Sequence, residues 1–193
     1  DEVAVRVLTG AGLGVLSEES GLHFDERPLL AVVDPVDGST NASRGFPWFA
    51  TSIGVVDAEG PLAAFVVNQS TGTTYEAVRG AGATRDGRAI TPSDKRRLGD
   101  SILGISGYPG RYLGWRQFRA FGAAARDLCC VADGSLDRAD VRHLRTDVEM
   151  DELEAMGQPG LAERLAGANQ IGGGKAELGG LGAAGGPFPC PRG

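Results

Sequence analysis

The residues best suited to chemistry sit in one stretch, Asp34-Pro35-Val36-Asp37-Gly38-Ser39-Thr40-Asn41. Two carboxylates three residues apart around a proline turn can converge on one cation, and the Val36 carbonyl between them can add a third oxygen. Oxygen-only donors favour Mg2+, Mn2+ or Ca2+ over zinc, and a site that keeps waters and borrows substrate phosphate suits Mg2+. Gly38, Ser39 and Thr40 read as the first turn of a short helix, whose free N–H groups and positive dipole end would face a phosphate. A hard cation beside an anion-binding turn implies phosphoryl chemistry. The competing reading is structural, an Asx-type turn in which Asp34 and Asp37 only cap a helix.

A second acidic group, Ser17-Glu18-Glu19-Ser20-Gly21, weighs against capping alone. It also follows an apolar stretch, and carboxylates gathered at buried strand ends repel one another unless cations neutralise them. In isolation, Glu18 and Glu19 would read as a solvated loop.

Together these segments resemble the inositol monophosphatase family of metal-dependent, lithium-sensitive phosphatases. The likeness runs through SEESG, DPVDGSTNASRGFPWFATSIGV, VVNQSTGTTYEAVRGAGATRDGRAI and FRAFGAAARDLCCVADGSLD, across roughly residues 1 to 140. It implies an α/β fold, the layered α-β-α-β-α sandwich shared with fructose-1,6-bisphosphatase, incomplete here at both ends. It further implies that Glu18, Asp34, the Val36 carbonyl and Asp37 hold Mg2+, and that Asp37, Gly38 and Ser39 meet the substrate. In the family a hydroxyl at the Ser39 position and an upstream Asp, matched by Asp1, orient the attacking water beside Glu18. The family's G-x-A-A segment, which helps shape the substrate pocket, falls on Gly122 to Ala125, and the resemblance implies that Gly122, Ala123 and Ala124 meet the substrate. Its last acidic ligand has its nearest counterpart in Asp147, within Leu144-Arg145-Thr146-Asp147-Val148. The Trp of the family's Trp-Asp and the E-A-G-G segment that follows it are not found, and the helical sequence that precedes Asp1 in the family is missing. The expectation is therefore an N-terminally truncated member with a divergent C-terminus.

The expected reaction is Mg2+-dependent hydrolysis of a small phosphate monoester, inositol monophosphate or a related sugar or polyol phosphate. Histidinol phosphate, fructose 1,6-bisphosphate and 3'-phosphoadenosine 5'-phosphate are alternatives on the same fold. A catalytically inactive relative that binds a metal or a partner, and a non-enzymatic acidic binding module, are alternatives of another class.

The elements that must position these residues are legible in part. Leu29 to Val33 is a short, β-rich apolar run ending in Asp34, as a buried strand would when it delivers a carboxylate to its C-terminal edge. Thr51 to Val56, Leu62 to Val67 and Thr73 to Val78 predict an antiparallel meander, with turn chemistry at Asn68 to Gly72 and at Asp86-Gly87. Ser101 to Ile105 predicts a further strand. Phe118, Phe121, Ala125, Leu128, Cys129 and Ala132 predict one helix with a single buried face, stopped by Asp133-Gly134. Asp1 to Leu8 fits either period. Val148 to Met156 and Leu161 to Ala168 read as short helices. The domain is expected over residues 1–170, with a Gly/Pro-rich, disordered tail over 171–193.

Composition bounds the remainder. The 193 residues carry 25 acidic and 19 basic side chains, a net charge of -6, and 41% are hydrophobic, which suits one globular domain. The acidic balance argues against a nucleic-acid surface, and the longest apolar run is far short of a membrane span. Cys129, Cys130 and Cys190 make neither a disulfide framework nor a zinc spacing, so a reducing, cytoplasmic compartment is expected. The partner expected is a small phosphorylated substrate, and a homodimer is left open. Gly10 to Gly14 lacks the third glycine of a dinucleotide loop, and Gly172 to Lys175 lacks the Ser or Thr of a P-loop. His23 and His143 are isolated. Cys129, Cys130, Trp48 and Trp115 are expected to pack the core.

Overall fold

The computed structural model describes residues 1–24, 26–106, 112 and 114–140. Asp147, His143, Cys190, the helices expected after Val148 and the expected tail lie outside the described residues. The chain opens with α1 (Glu2–Gly10), β1 (Gly14–Ser17), β2 (Gly21–His23), β3 (Leu30–Asp37) and α2 (Ser39–Arg44). It continues through β4 (Ala50–Asp57), β5 (Gly60–Asn68), β6 (Thr74–Val78), β7 (Gly82–Arg85) and β8 (Arg88–Ala89). The last part comprises β9 (Ile102–Ile105), β10 (Gln117–Arg119), α3 (Ala124–Ala132) and β11 (Arg138–Asp140).

Eight strands form one sheet in the order β2-β1-β3-β4-β5-β6-β7-β8, and β10-β9-β11 form a second. From β3 to β7 the pairing is the expected antiparallel meander, whereas β1 lies parallel to β3. The ambiguous first segment is helical. Ala4, Val5 and Leu8 share one face at helical spacing and pack on Val15, Ala31 and Val33, joined by Ile53 and Val55. The side chain of Arg27 closes the end of α1, donating to the carbonyls of Thr9 at 2.6 Å and Leu13 at 2.8 Å.

The helix expected from Phe118 begins instead at Ala124, and Phe118 lies in β10, paired with Leu103. Gly122, at φ +80°, breaks any continuous helix between the two. The single buried face is also corrected. Ala124, Arg126, Asp127, Cys129 and Cys130 are buried while Leu128 is 42% exposed, because α3 has sheet on two sides. Ala125 and Cys129 pack on Ala50, Val66 and Tyr75 of the large sheet. On the other side, a Cβ added at Gly104 of β9 would stand 3.7 Å from Cβ of Asp127. Alternation along β4 puts Ala50 on the opposite sheet face from Ile53 and Val55, so α1 and α3 cover opposite faces. The layers therefore run helix, sheet, helix, sheet.

Candidate active site

Register positions the acidic residues. The parallel ladder pairs Ser17 with Val33, and the Glu18 N–H donates to the Val33 carbonyl at 3.0 Å, which brings Glu18 beside Asp34. On its other side β3 pairs with β4, and the register slips between Asp34 and Asp37. The slip is a β-bulge built around Pro35, which has no N–H for a ladder. Its freed carbonyl accepts from Thr51 Oγ1 at 3.0 Å and Gln69 Nε2 at 2.9 Å. Asp34 Oδ1 accepts the Val36 N–H at 2.9 Å, so the Asx turn of the structural reading does exist.

Asp37 does something the sequence could not show. Its Oδ1 accepts the Ala124 N–H at 3.0 Å and its Oδ2 the Ala125 N–H at 2.8 Å. The carboxylate thus caps α3, which has no side-chain cap from its own N-cap residue, Ala123. Capping is real, but the helix capped lies more than 80 residues away and not next in the chain.

Gly38 follows in the left-handed region at φ +84°. A Cβ there would meet Cβ of Ala123 at 2.9 Å, the Trp48 carbonyl at 3.0 Å and the Gly122 carbonyl at 3.1 Å. Only glycine fits such an approach at such a φ without shifting its neighbours. Ser39 then opens α2 and is exposed.

Electrostatics set these acids apart. Burial, then Glu18 and Asp37, push the Asp34 carboxyl up to about 7. Burial also raises Asp37, against the N–H groups of Ala125, Arg126 and Ala124 that favour its charged form. Among the described residues, none of the ion pairs involves Glu18, Asp34 or Asp37. No trio of His, Cys, Asp and Glu side chains among them closes around a single point. Glu18 and Asp34 form a pair, and Asp37 is turned towards α3. The donors offered are oxygens alone, crowded and lacking cationic partners, which fits a hard divalent cation and not zinc.

The structure therefore brings together Glu18, Asp34 and Asp37, and sets Gly38 against Gly122 and Ala123, with Ala124 bonded to Asp37. Val36 lies at the exposed crest of the bulge. Asp1 Oδ1 accepts from Ser17 Oγ at 2.5 Å, one residue before Glu18. Sequence reasoning missed Asn41, Arg126 and Asp127. Arg126 lies between the rings of Trp48 and Tyr75, 4.7 Å and 4.9 Å from their centroids. Asp127 accepts from Trp48 Nε1 at 3.0 Å, and burial lifts its carboxyl to about 6. Two adjacent charged residues inside an otherwise apolar helical pattern were the available signal.

A domain of this layering, with paired carboxylates at the end of a central strand and a glycine turn against a second helix, defines a class that comparison identifies. The inositol monophosphatase family model matches residues 10–139, and the chain belongs to that family. It is 32% identical over 150 residues to the fructose-1,6-bisphosphatase/inositol-1-monophosphatase of Methanocaldococcus jannaschii, covering 74% of this chain and 58% of that one. The inositol-1-monophosphatase ImpA of Mycolicibacterium smegmatis is 35% identical over 153 residues, covering 70% of this chain and 55% of that one. Among solved structures, the extragenic suppressor protein SuhB of Bartonella henselae superposes with a TM-score of 0.66 at 33% identity, covering 72% of this chain and 63% of that one. The chain thus spans little more than half the length of the curated relatives it matches. Within the described residues, no helix is long and apolar enough to cross a membrane.

Proposed function

We propose that the chain belongs to a Mg2+-dependent phosphatase that hydrolyses a small phosphate monoester, inositol monophosphate or a related sugar or polyol phosphate. The observation that carries this reading is the end of β3, where Asp34 is crowded by Glu18 and Asp37 with no cationic side chain among the described residues paired to them. Glu18, Asp34, Asp37 and the Val36 carbonyl would hold Mg2+, joined by Asp147 from outside the described residues. Bound Mg2+ would lower the pKa of water and neutralise charge on the phosphoryl oxygens.

The chain's own residues supply the rest. The backbone at Gly38 and Ser39 binds the phosphoryl group, and the Ser39 hydroxyl, with Glu18, orients water for in-line attack. Asp1, bonded to Ser17 next to Glu18, joins Ser39 in orienting that water. Gly122, Ala123 and Ala124 form the wall against which the alcohol part of the ester rests.

Two relatives whose names couple fructose-1,6-bisphosphatase with inositol-1-monophosphatase favour polyol and sugar phosphates over histidinol phosphate or 3'-phosphoadenosine 5'-phosphate. Cys129 and Cys130, free and buried, accord with a reducing, cytoplasmic setting. The test is a panel of these phosphate esters with Mg2+, with Li+ added and with excess chelator. Release of phosphate that needs Mg2+ and falls with Li+ is expected, and undiminished release in chelator would sink the reading.

A further inference from the structure

Asn41 belongs to the same motif stretch as the acids, yet the reading above gives it no task. It is the third residue of α2, half-buried, and its Nδ2 donates to the Trp48 and Phe121 carbonyls, each at 2.7 Å. A primary amide has two N–H donors, so both are engaged, on segments 7 and 80 residues away. The packing around this amide is close. A Cβ at Gly122 would come within 3.4 Å of Nδ2, and the Trp48 and Phe121 rings stack with centroids 4.4 Å apart. Through one side chain, α2 is fastened both to the segment that follows it and to the residue preceding Gly122.

We propose that Asn41 is a positioning residue that sets the spacing between the Asp34–Gly38 turn and the Gly122–Ala124 wall, and thereby decides which alcohols the site seats. The proposal rests on the phosphatase reading, in which the phosphoryl end of an ester lies at the turn and its alcohol end at the wall. Few side chains can replace this amide. Serine offers one donor, alanine none, and aspartate would set a negative charge against two carbonyl oxygens. Glu18 and Asp34 are held by the β1–β3 and β3–β4 ladders, which Asn41 does not touch, so its loss is expected to shift the wall more than the cation ligands.

The test uses the whole 193-residue chain as wild type, Asn41→Ser and Asn41→Ala. Folding is checked by circular dichroism, Mg2+ affinity by calorimetry, and hydrolysis is followed on inositol 1-phosphate and on p-nitrophenyl phosphate, whose flat aryl group makes little demand on the wall. In Asn41→Ala, kcat/KM for inositol 1-phosphate should fall at least about tenfold, with a raised KM, as displacements of about 1 Å can cost that much or more. The aryl ester should lose less than about threefold, and Mg2+ affinity should hold within about twofold. Asn41→Ser, which keeps one donor, should fall between wild type and Asn41→Ala, and it carries the test if the alanine variant does not fold. Equal losses on both esters, or none on either, would overturn the positioning role and leave the phosphatase reading standing. A wild type that releases phosphate from neither ester would overturn that reading and this proposal with it.

Discussion

Asp57, in the β4–β5 hairpin, and Asp34, near the end of β3, are both carboxylates beside a tight turn, yet the chain treats them oppositely. Asp57 faces Arg79, whose Nη2 lies 2.8 Å from Oδ1, and accepts the Glu59 N–H at 2.8 Å, and it is held below its usual range, chiefly by the Arg79 bond. Asp133 and Asp137 follow the same pattern. Burial pulls both up, but Ser135, Tyr75 and Arg85 around Asp133, and Ser93 and the Ile102 N–H around Asp137, bring them below the ordinary value. Asp34 receives a single backbone N–H and two further carboxylates, and it rises to about 7. Where carboxylates serve the fold, the chain supplies donors. At Asp34, among the described residues, it supplies only the Val36 N–H, and a cation from solution would have to supply the missing charge.

The hardest blow to this contrast is expected from Asp37→Ala. Phosphate release should fall at least about 100-fold, since a metal ligand underwrites several kcal/mol of transition-state charge stabilisation. The fold should lose about 1–2 kcal/mol as well, because α3 loses its cap. Denaturant unfolding alongside the activity assay separates the two losses. A variant with wild-type release would remove Asp37 from the site.

Metal-free unfolding sharpens the contrast. Asp34 and Asp127 both have folded-state pKa values above the ordinary 3.8, about 7 and about 6. The folded chain therefore binds more protons than the unfolded one between these values, and stability falls as pH rises from about 4 to about 7. For Asp127, which is 2% exposed, the loss approaches about 3 kcal/mol. Asp127→Asn keeps an acceptor for Trp48 Nε1 and should remove its share of the slope. Asp34→Asn should stabilise the metal-free chain at pH 7 and abolish the rise in Tm that added Mg2+ gives the wild type by mass action. Parallel pH curves for wild type and both variants would mean that neither carboxyl is displaced from its ordinary range.

Much of the site was legible because its signals are local. Asp34 and Asp37 announce a site by their spacing, and the strand before them by its β-branched run. Asp37 as the cap of α3 and Asn41 as a bridge to Phe121 depend on pairings 80 or more residues apart, which no local period encodes. The helix read from Phe118 failed for a related reason. Phe118 and Phe121 stand at helical spacing, but Phe118 pairs in β10 with Leu103, and Phe121 stacks on Trp48. Arg126 and Asp127 broke the expected polarity of α3 because a second sheet, far away in sequence, gives that helix a second buried side.

The smallest effect is expected on the other side of the comparison, at Arg79. Its guanidinium closes the β4–β5 hairpin, with Nε donating to the Pro61 carbonyl at 2.7 Å and Nη1 lying 2.9 Å from Oε2 of Glu59. The side chain of Glu59 is 82% exposed, so its pairing is well screened by water and should add little. Arg79→Met keeps much of the aliphatic stem and removes the charge. Asp57 should then titrate nearer to an ordinary carboxylate in an NMR titration, and Tm should fall less than in Asp37→Ala. High salt should erase most of that difference by screening the wild-type pair. Mg2+ affinity and phosphate release should not change, because this carboxylate already has its donors within the fold. A loss of Mg2+ affinity in Arg79→Met would show that the two sets of acids are coupled through the sheet, and the division between them would fail.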